Sequence, residues 1–275
     1  MLRPPYERYQ RLHISFLDRI GLPAVDDPDL IGVWEEDGHT VLFFHQPKEA
    51  LVEALCQASG AAVTYRADLD YQDWEAGRPL TPFSVAGLAI APVWAEGPAD
   101  IRLDPGVAFG SGSHPTTRCC LTLVLELLAD PGCGVRRLAD LGTGTGIVAV
   151  AAAFRHPDLT VEAFDHNPLA CAVARANAAR NGVAGRVRVR QVDLRQTWPV
   201  QEADLIVANL YRELLLALMA RPAFWQARWH ILSGFRSEME PDLLAALPAG
   251  VCCRRRLRED GWVLWLLEQP ARCRR

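Results

Sequence analysis

The stretch LADLGTGTGIVAV, Leu138–Val150, decides the fold of this chain. A short apolar run ends in three glycines spaced G-x-G-x-G, and a helix-forming run follows. This order predicts a strand, a tight turn and a helix. Because glycines let backbone N–H groups approach a ligand at the start of a helix, the turn indicates a nucleotide-type site. We expect the site to include Asp140, Gly142, Gly144 and Gly146, although a turn with a purely structural role is the alternative.

Strands and helices alternate on both sides of this turn. Five runs of strand type, RRLADLG, TVEAFD, RVRVRQVD, ADLIVANL and WHILSGF, are separated by helical runs such as NPLACAVARANAARNG. The segments GVCCRRRLRED and GWVLWLLEQP then predict an antiparallel hairpin. Such alternation predicts an α/β fold with a doubly wound, mainly parallel sheet. Five strands and the hairpin give a sheet of seven strands.

The chain begins with a segment of different character. A strand (RLHISF), a hairpin (LIGVWEEDGHTVLFF), a helix (PKEALVEALCQASG) and a short strand (AAVTY) indicate a small α+β module. A polar, turn-rich stretch follows it. We therefore predict a small domain over residues 1–66, a linker over 67–83 and the α/β domain over 84–275.

Polar side chains end three of the predicted strands. Asp165 follows the glycine turn at the distance at which dinucleotide folds place a carboxylate for ribose hydroxyls. Asp193 could accept from an adenine amino group, and the Asn209 carbonyl could orient an incoming amine. The alternatives are a helix N-cap for Asp165, a loop-entry aspartate for Asp193 and a turn-forming asparagine for Asn209. The carboxyl ends of the strands are nevertheless where such folds bind ligands.

A second small-residue loop, LDPGVAFGSGSHPTTR, Leu103–Arg118, precedes the glycine turn. It contains glycines and hydroxyl residues, but no Gly-Lys-Ser/Thr follows, so it is not a phosphate-binding P-loop. His114 in this loop could act as a general base. It could instead fix the turn by hydrogen bonding, and we favour this second interpretation.

Composition excludes several classes of protein. The formal net charge of −4 lacks the basic excess of a nucleic-acid binder, so no direct nucleic-acid binding is expected. The eight cysteines form no C-x-x-C pair and no zinc-ligand spacing with histidine, so no metal is expected. Neither a secretory segment nor a long apolar run is present, which predicts a cytoplasmic protein without membrane association. Tryptophans such as Trp74 and Trp262 are expected to be packing residues.

The converging strand ends and the terminal hairpin resemble the class I S-adenosylmethionine-dependent methyltransferases. The motifs LDPGVAFGSGSHPTT, ANLYRELL and EDGWVLWLLE, together with the glycine turn, are similar to the bacterial PrmA family of ribosomal protein methyltransferases. This resemblance extends from roughly Trp74 to the end of the sequence. It implies a Rossmann-like methyltransferase sheet and a ferredoxin-like N-terminal domain that recognises the substrate.

The resemblance also implies a cofactor, a substrate and site residues. The cofactor is S-adenosylmethionine, and its implied contacts are Thr117, Gly142, Asp165 and Asn209. The implied loop that closes over it contains Phe109, Gly110 and Ser111. Asn209 would also steer the attacking amine. The family's substrate is a large-subunit ribosomal protein, L-eleven, which is methylated on its α-amino group and on lysine ε-amines.

Two departures from the family pattern leave the acceptor open. The linker YQDWEAGRPLTPF looks shorter than the family's two-tryptophan connection, and the first helix of the N-terminal module is hard to find. The first alternative is therefore the same chemistry on another protein's lysine or on a small-molecule amine. Others are a nicotinamide-dependent oxidoreductase, disfavoured by the glycine spacing, and a non-catalytic binding module. The sequence gives no indication of the oligomeric state.

Overall fold

The computed structural model describes residues 2, 6–36, 38–75 and 78–269. The N-terminal module contains strands β1 (Arg11–Leu17), β2 (Leu30–Glu36), β3 (His39–Phe44) and β4 (Val63–Asp70), with helix α1 (Glu49–Ser59) before β4. The strands form an antiparallel sheet in the order β2-β3-β1-β4. Residues 18–29, between β1 and β2, contain no helix. The module is thus the small α+β unit that the sequence predicted, with α1 as the one helix between β1 and β4 in the described residues.

The predicted linker is partly regular structure. Strand β4 continues to Asp70, so the linker boundary expected at residue 67 falls inside a strand. A short helix, α2 (Tyr71–Trp74), follows directly, and the first strand of the next unit, β5, begins at Phe83. Residues 76 and 77 of the predicted linker lie outside the described residues, as do residues 270–275 at the end of the predicted α/β domain.

The α/β domain begins with a small sheet that the sequence did not predict. Its strands are β5 (Phe83–Val85), β6 (Leu88–Pro92) and β7 (Ile101–Leu103). The remaining elements are α3 (Pro115–Ala129), β8 (Arg137–Leu141), α4 (Ile147–Arg155), β9 (Thr160–Asp165), α5 (Pro168–Arg180), β10 (Val187–Gln191), β11 (Leu205–Asn209), α6 (Arg212–Met219), β12 (Trp229–Arg236), α7 (Glu240–Ala245), β13 (Cys252–Glu259) and β14 (Trp262–Glu268).

The main sheet has seven strands in the order β10-β9-β8-β11-β12-β14-β13. The first five are parallel, and β13 and β14 form the antiparallel hairpin, which confirms the predicted fold class. Strand β11, Leu205–Asn209, is buried over its first four residues because helices cover both faces of the sheet. The chain runs outward from β8 in one direction and from β11 in the other. The crevice between their carboxyl ends is therefore the topological switch point where such sheets bind ligands.

The N-terminal module packs against the loop that follows β7. The Tyr9 hydroxyl donates to Asp104 Oδ1 at 2.9 Å, and the Tyr71 hydroxyl donates to the Gly106 carbonyl at 2.6 Å. Gly32 of β2 lies directly against Leu169 of α5: a Cβ atom at Gly32 would be only 2.4 Å from a Leu169 methyl group. The two hydrogen bonds join the module and the linker helix α2 to the start of the second small-residue loop, and Gly32 places β2 against α5. No described helix is long and apolar enough to span a membrane.

Replacing Tyr9 by phenylalanine removes the hydroxyl that donates to the fully buried Asp104 carboxylate. Burial, and then the Asp104 charge, raise the pKa of Tyr9 well above its ordinary value, so this hydroxyl stays protonated. We expect Tyr9→Phe to lower the free energy of unfolding by about 1–3 kcal/mol, because the buried Oδ1 atom loses the hydroxyl donor and keeps only the Gly106 N–H, at 3.2 Å. Urea denaturation measures this change. Tyr65→Phe, at a side chain that is 60% exposed, is the control, and an equal effect of both changes would contradict the assignment.

Candidate active site

A cavity of about 590 Å³ lies at the carboxyl ends of the central strands. Six of the predicted site residues are on its wall, namely Phe109, Gly142, Gly144, Asp165, Asp193 and Asn209. Five are not, namely Gly110, Ser111, Thr117, Asp140 and Gly146. The two small-residue loops, separate in sequence, therefore meet at one cavity.

The glycine turn is held directly against the second loop. The Thr145 N–H donates to the Phe109 carbonyl at 2.9 Å, and its Oγ1 donates to the Gly110 carbonyl at 2.6 Å. Gly144 has a φ of 55°, and a Cβ at this position would lie 2.1 Å from the Phe109 carbonyl oxygen. Only glycine leaves room for this approach, which explains why position 144 is a glycine. Gly110 therefore supports the turn rather than lining the cavity.

Asp165 is oriented by backbone donors at the end of β9. Its two carboxylate oxygens accept from Gly144 N–H and Asn167 N–H, each at 3.0 Å, and the residue is 8% exposed. Because each carboxylate oxygen can accept more than one hydrogen bond, the group can still receive ligand hydroxyls. The helix N-cap considered as an alternative is Asn167 instead, which accepts from Leu169 N–H at 2.9 Å.

The other two aspartates differ in their surroundings. Asp193 lines the cavity but is engaged locally, because its carboxylate accepts from Arg195 Nε at 3.0 Å and from Arg195 N–H at 2.9 Å. The Arg195 guanidinium holds the pKa of Asp193 below its ordinary value. Asp140, predicted as a cofactor contact, lies beneath the turn and accepts from Thr143 Oγ1 at 2.6 Å. Asp140 is not on the cavity wall, and its hydrogen bond with Thr143 supports the turn.

Asn209 ends β11 and is connected to the start of α3. Its Nδ2 donates to Thr116 Oγ1 at 3.1 Å, and Thr116 Oγ1 lies 2.7 Å from His114 Nδ1. His114 caps α3, since Nδ1 accepts from Thr116 N–H at 3.3 Å. Burial, and to a smaller extent Arg78, lower the pKa of His114 below its ordinary value, while Asp260 opposes them. The turn-fixing interpretation of His114 therefore has a direct geometric basis.

The linker supplies a carboxylate that the sequence analysis missed. Glu75 accepts from Ser113 Oγ at 2.7 Å and from Ser111 Oγ at 2.5 Å, and it lines the cavity. Ser111 therefore faces the linker rather than the cavity. Thr117 Oγ1 is buried and has no hydrogen-bond partner among the described residues. Among the predicted cofactor contacts that the structure describes, this hydroxyl is the one fully buried side-chain polar atom without a hydrogen-bond partner.

Aromatic side chains form much of the remaining wall. Trp34 comes from β2, Trp74 from α2 and Trp262 from β14, and Phe109 and Tyr211 are 57% and 53% exposed. The expectation that Trp74 and Trp262 only pack is therefore incomplete. Their position follows from how the N-terminal module and the hairpin meet the loop, and no local sequence pattern predicts it. No group of three or more described His, Cys, Asp or Glu side chains is arranged to hold a metal ion.

Comparison with known proteins identifies the family. The sequence pattern of the family described as Ribosomal protein L11 methyltransferase (PrmA) matches residues 29–269 of this chain. The chain belongs to the PrmA family. The ribosomal protein L11 methyltransferase of Thermus thermophilus is 33% identical over 260 residues, which cover 91% of this chain and 94% of that protein.

Other PrmA proteins are more similar over a shorter region. Those of Pelotomaculum thermopropionicum and Symbiobacterium thermophilum are 42% and 43% identical over 184 and 197 residues. The matched region spans only 58% and 60% of the length of these two relatives. A crystal structure of a ribosomal protein L11 methylase from Lactobacillus delbrueckii subsp. bulgaricus matches with a TM-score of 0.59 and 28% identity, covering 70% of this chain and all of that chain. The described fold is consistent with this structure.

The buried Asp140 carboxyl group makes the free energy of unfolding of the protein depend on pH. Burial raises the pKa of Asp140 from 3.8 to about 6, with a smaller contribution from Asp165. The folded protein holds this proton more tightly than the unfolded chain, so the associated stability is present below about pH 4 and is lost as the pH rises to about 6. We expect Asp140→Asn, which does not titrate, to gain up to about 3 kcal/mol relative to the original protein between pH 4 and pH 7.

Urea denaturation of both proteins across this pH range measures the gain. Asp158→Asn, the same substitution at an exposed site, is the matched control. A stability difference between Asp140→Asn and the original protein that stays constant from pH 4 to pH 7 would contradict the assignment.

Proposed function

We propose that this protein transfers methyl groups from S-adenosylmethionine to amino groups of a protein. The proposed acceptor is ribosomal protein L11. The observation that carries this proposal is the single cavity that joins an oriented carboxylate, Asp165, to an uncharged amide, Asn209. The Asp165 carboxylate suits the hydroxyls of a ribose, and the Asn209 amide carbonyl suits an amine. Both lie at the switch point of the sheet, where such folds bind their ligands.

The residues of the cavity fit this cofactor. Asp165 is fixed by two backbone N–H groups and retains acceptor capacity for a pair of ribose hydroxyls. Gly142 and Gly144 keep the wall beside it free of side chains. Asp193 lies at the neighbouring strand end, where it would meet the base. Thr117 is not on the wall itself, but it follows the cavity-lining Thr116 in α3, and its buried hydroxyl has no partner among the described residues.

The same charges argue against a nicotinamide dinucleotide. Asp165 would suit the ribose of either cofactor, but the carboxylates of Asp193, which is paired with Arg195, and Glu75 also line the cavity. Carboxylates repel a pyrophosphate, whereas they attract the cationic sulfonium centre of S-adenosylmethionine. The G-x-G-x-G turn also lacks the third glycine position of the dinucleotide fingerprint. The glycine spacing and the Glu75 carboxylate therefore favour a methyl donor over a hydride donor.

The acceptor end of the cavity suits a neutral amine. S-adenosylmethionine supplies the electrophilic methyl group, and positioning of the amine provides much of the rate gain. The carbonyl of Asn209 can accept a hydrogen bond from an amine without adding charge. The aromatic residues Phe109, Tyr211 and Trp262 line the same cavity and limit the access of water to it.

The choice of acceptor rests on family membership. Relatives named ribosomal protein L11 methyltransferase include one that matches over 94% of its length, which supports L11 as the substrate. A ribosomal acceptor would place the enzyme in the cytoplasm. A second candidate is another protein lysine, and the observation that favours it is the missing helix between β1 and β2 in the module expected to recognise substrate.

Removing the charge of Asp165 should weaken cofactor binding. Asp165→Asn keeps the size of the side chain but replaces charge-assisted hydrogen bonds to the ribose by neutral ones. We expect the dissociation constant for S-adenosylmethionine to rise by about tenfold or more, measured by isothermal titration calorimetry. Asp158→Asn at an exposed site is the control. Unchanged affinity in a folded Asp165→Asn protein would remove Asp165 from the cofactor site.

Transfer itself is tested with labelled S-adenosylmethionine, purified L11 and, separately, the other ribosomal proteins. We expect incorporation into L11, and we expect Asn209→Ala to reduce kcat by about 100-fold because the amine loses its orienting acceptor. Incorporation into another protein alone would establish the second candidate. No incorporation into any protein, with tight cofactor binding retained, would overturn the proposed protein acceptor.

A further inference from the structure

We propose that Thr116 is a positioning residue of the transfer reaction, because its hydroxyl fixes the orientation of two cavity-lining side chains, Asn209 and His114. The inference rests on the proposed function, since it concerns how the amine end of the cavity is arranged. Thr116 is itself 2% exposed, and its hydroxyl lies between the other two groups. We call these three residues the amide–hydroxyl–imidazole chain.

The direction of the hydrogen bonds in this chain follows from one backbone group. Thr116 N–H, at the start of α3, donates to His114 Nδ1 at 3.3 Å, so Nδ1 is an acceptor and carries no proton. The Thr116 hydroxyl lies 2.7 Å from the same nitrogen and must therefore donate its hydrogen to it. Having donated, Oγ1 is left as an acceptor. It receives Nδ2–H of Asn209 at 3.1 Å.

This order settles which end of the Asn209 amide faces the ligand. The amide nitrogen is bound to a buried hydroxyl that can only accept, so a flipped amide would place an oxygen against an oxygen lone pair. The Oδ1 atom is left for the cavity, and it has no hydrogen-bond partner among the described residues. An acceptor atom is what an amine nitrogen with N–H groups needs. Thr116 therefore keeps Asn209 in the orientation that the reaction requires.

The same order determines what His114 presents to the cavity. With Nδ1 used as an acceptor, the neutral ring carries its proton on Nε2. The ring is held by contacts with Phe109 and Trp262, whose centroids lie 5.5 Å and 4.9 Å away. In this tautomer the cavity meets an N–H donor, not a free nitrogen lone pair. His114 is consequently not the group that takes a proton from the amine while the chain of hydrogen bonds is intact.

The inference is tested by removing the hydroxyl and by restoring it. Thr116→Val keeps the size of the side chain, and Thr116→Ser keeps the hydroxyl. We expect Thr116→Val to lower kcat for a methyl-accepting amine by about 10- to 100-fold, because a misoriented amide costs about as much as an error of roughly 1 Å in placement. The dissociation constant for S-adenosylmethionine should stay within about twofold, and Thr116→Ser should recover kcat to within about threefold.

Thr122→Val is the matched control, because Thr122 lies on the same helix and its hydroxyl donates only to the Arg118 carbonyl, at 2.9 Å. A Thr116→Val protein whose kcat remains within about threefold of the original would overturn the inference. So would a Thr116→Ser protein as impaired as Thr116→Val.

A second measurement does not depend on activity. Long-range ¹H–¹⁵N spectra of the histidine rings report which nitrogen of His114 carries the proton. We expect the Nε2–H tautomer in the original protein and a mixture of tautomers in Thr116→Val. An Nδ1–H ring in the original protein would overturn the inference even if the protein methylates L11. If the original protein methylates no amine, the proposed function fails, and the tautomer still decides whether the hydrogen-bond chain exists.

Discussion

Two hydrogen bonds from Thr145 hold together the segments on which the rest of the site depends. Its N–H and its hydroxyl bind the carbonyls of Phe109 and Gly110, and so join the glycine turn to the preceding loop. The bonds are possible only because Gly144 lacks a Cβ that would collide with the Phe109 carbonyl. The cavity wall formed by the turn and the wall formed by the loop are therefore fixed relative to each other.

Other parts of the chain converge on the same loop. From the N-terminal side, Tyr9 binds Asp104, Tyr71 binds Gly106, and Glu75 binds the hydroxyls of Ser111 and Ser113. From the C-terminal side, Trp262 packs on His114 at the end of the loop. A loop tied at both ends and in the middle is pre-organised, which reduces the entropy lost when a ligand is bound. Family membership and the cavity geometry both support the proposed methyl transfer.

The sequence predicted the seven strands of the main sheet in their order along the chain, because each of them carries its own periodicity and turn residues, but it did not predict the small β5–β7 sheet. It also placed Asp165 and Asn209 at the cavity, since parallel strands deliver their carboxyl ends to one edge. Asp140, predicted as a cofactor contact, lies beneath the glycines, where its side chain accepts from Thr143. The roles of Trp34, Trp74 and Glu75 depend on how distant segments pack. No local pattern of residues contains that information.

Hydrogen exchange measured by mass spectrometry tests most directly whether the glycine turn and the second small-residue loop respond as one unit when the proposed cofactor binds. The protein would be compared with and without S-adenosylhomocysteine, the product form of the proposed cofactor. Peptides covering residues 105–113 and 141–147 are expected to gain protection together, because Thr145 connects them. Protection of only one of these segments, or of neither while the ligand is bound, would contradict it.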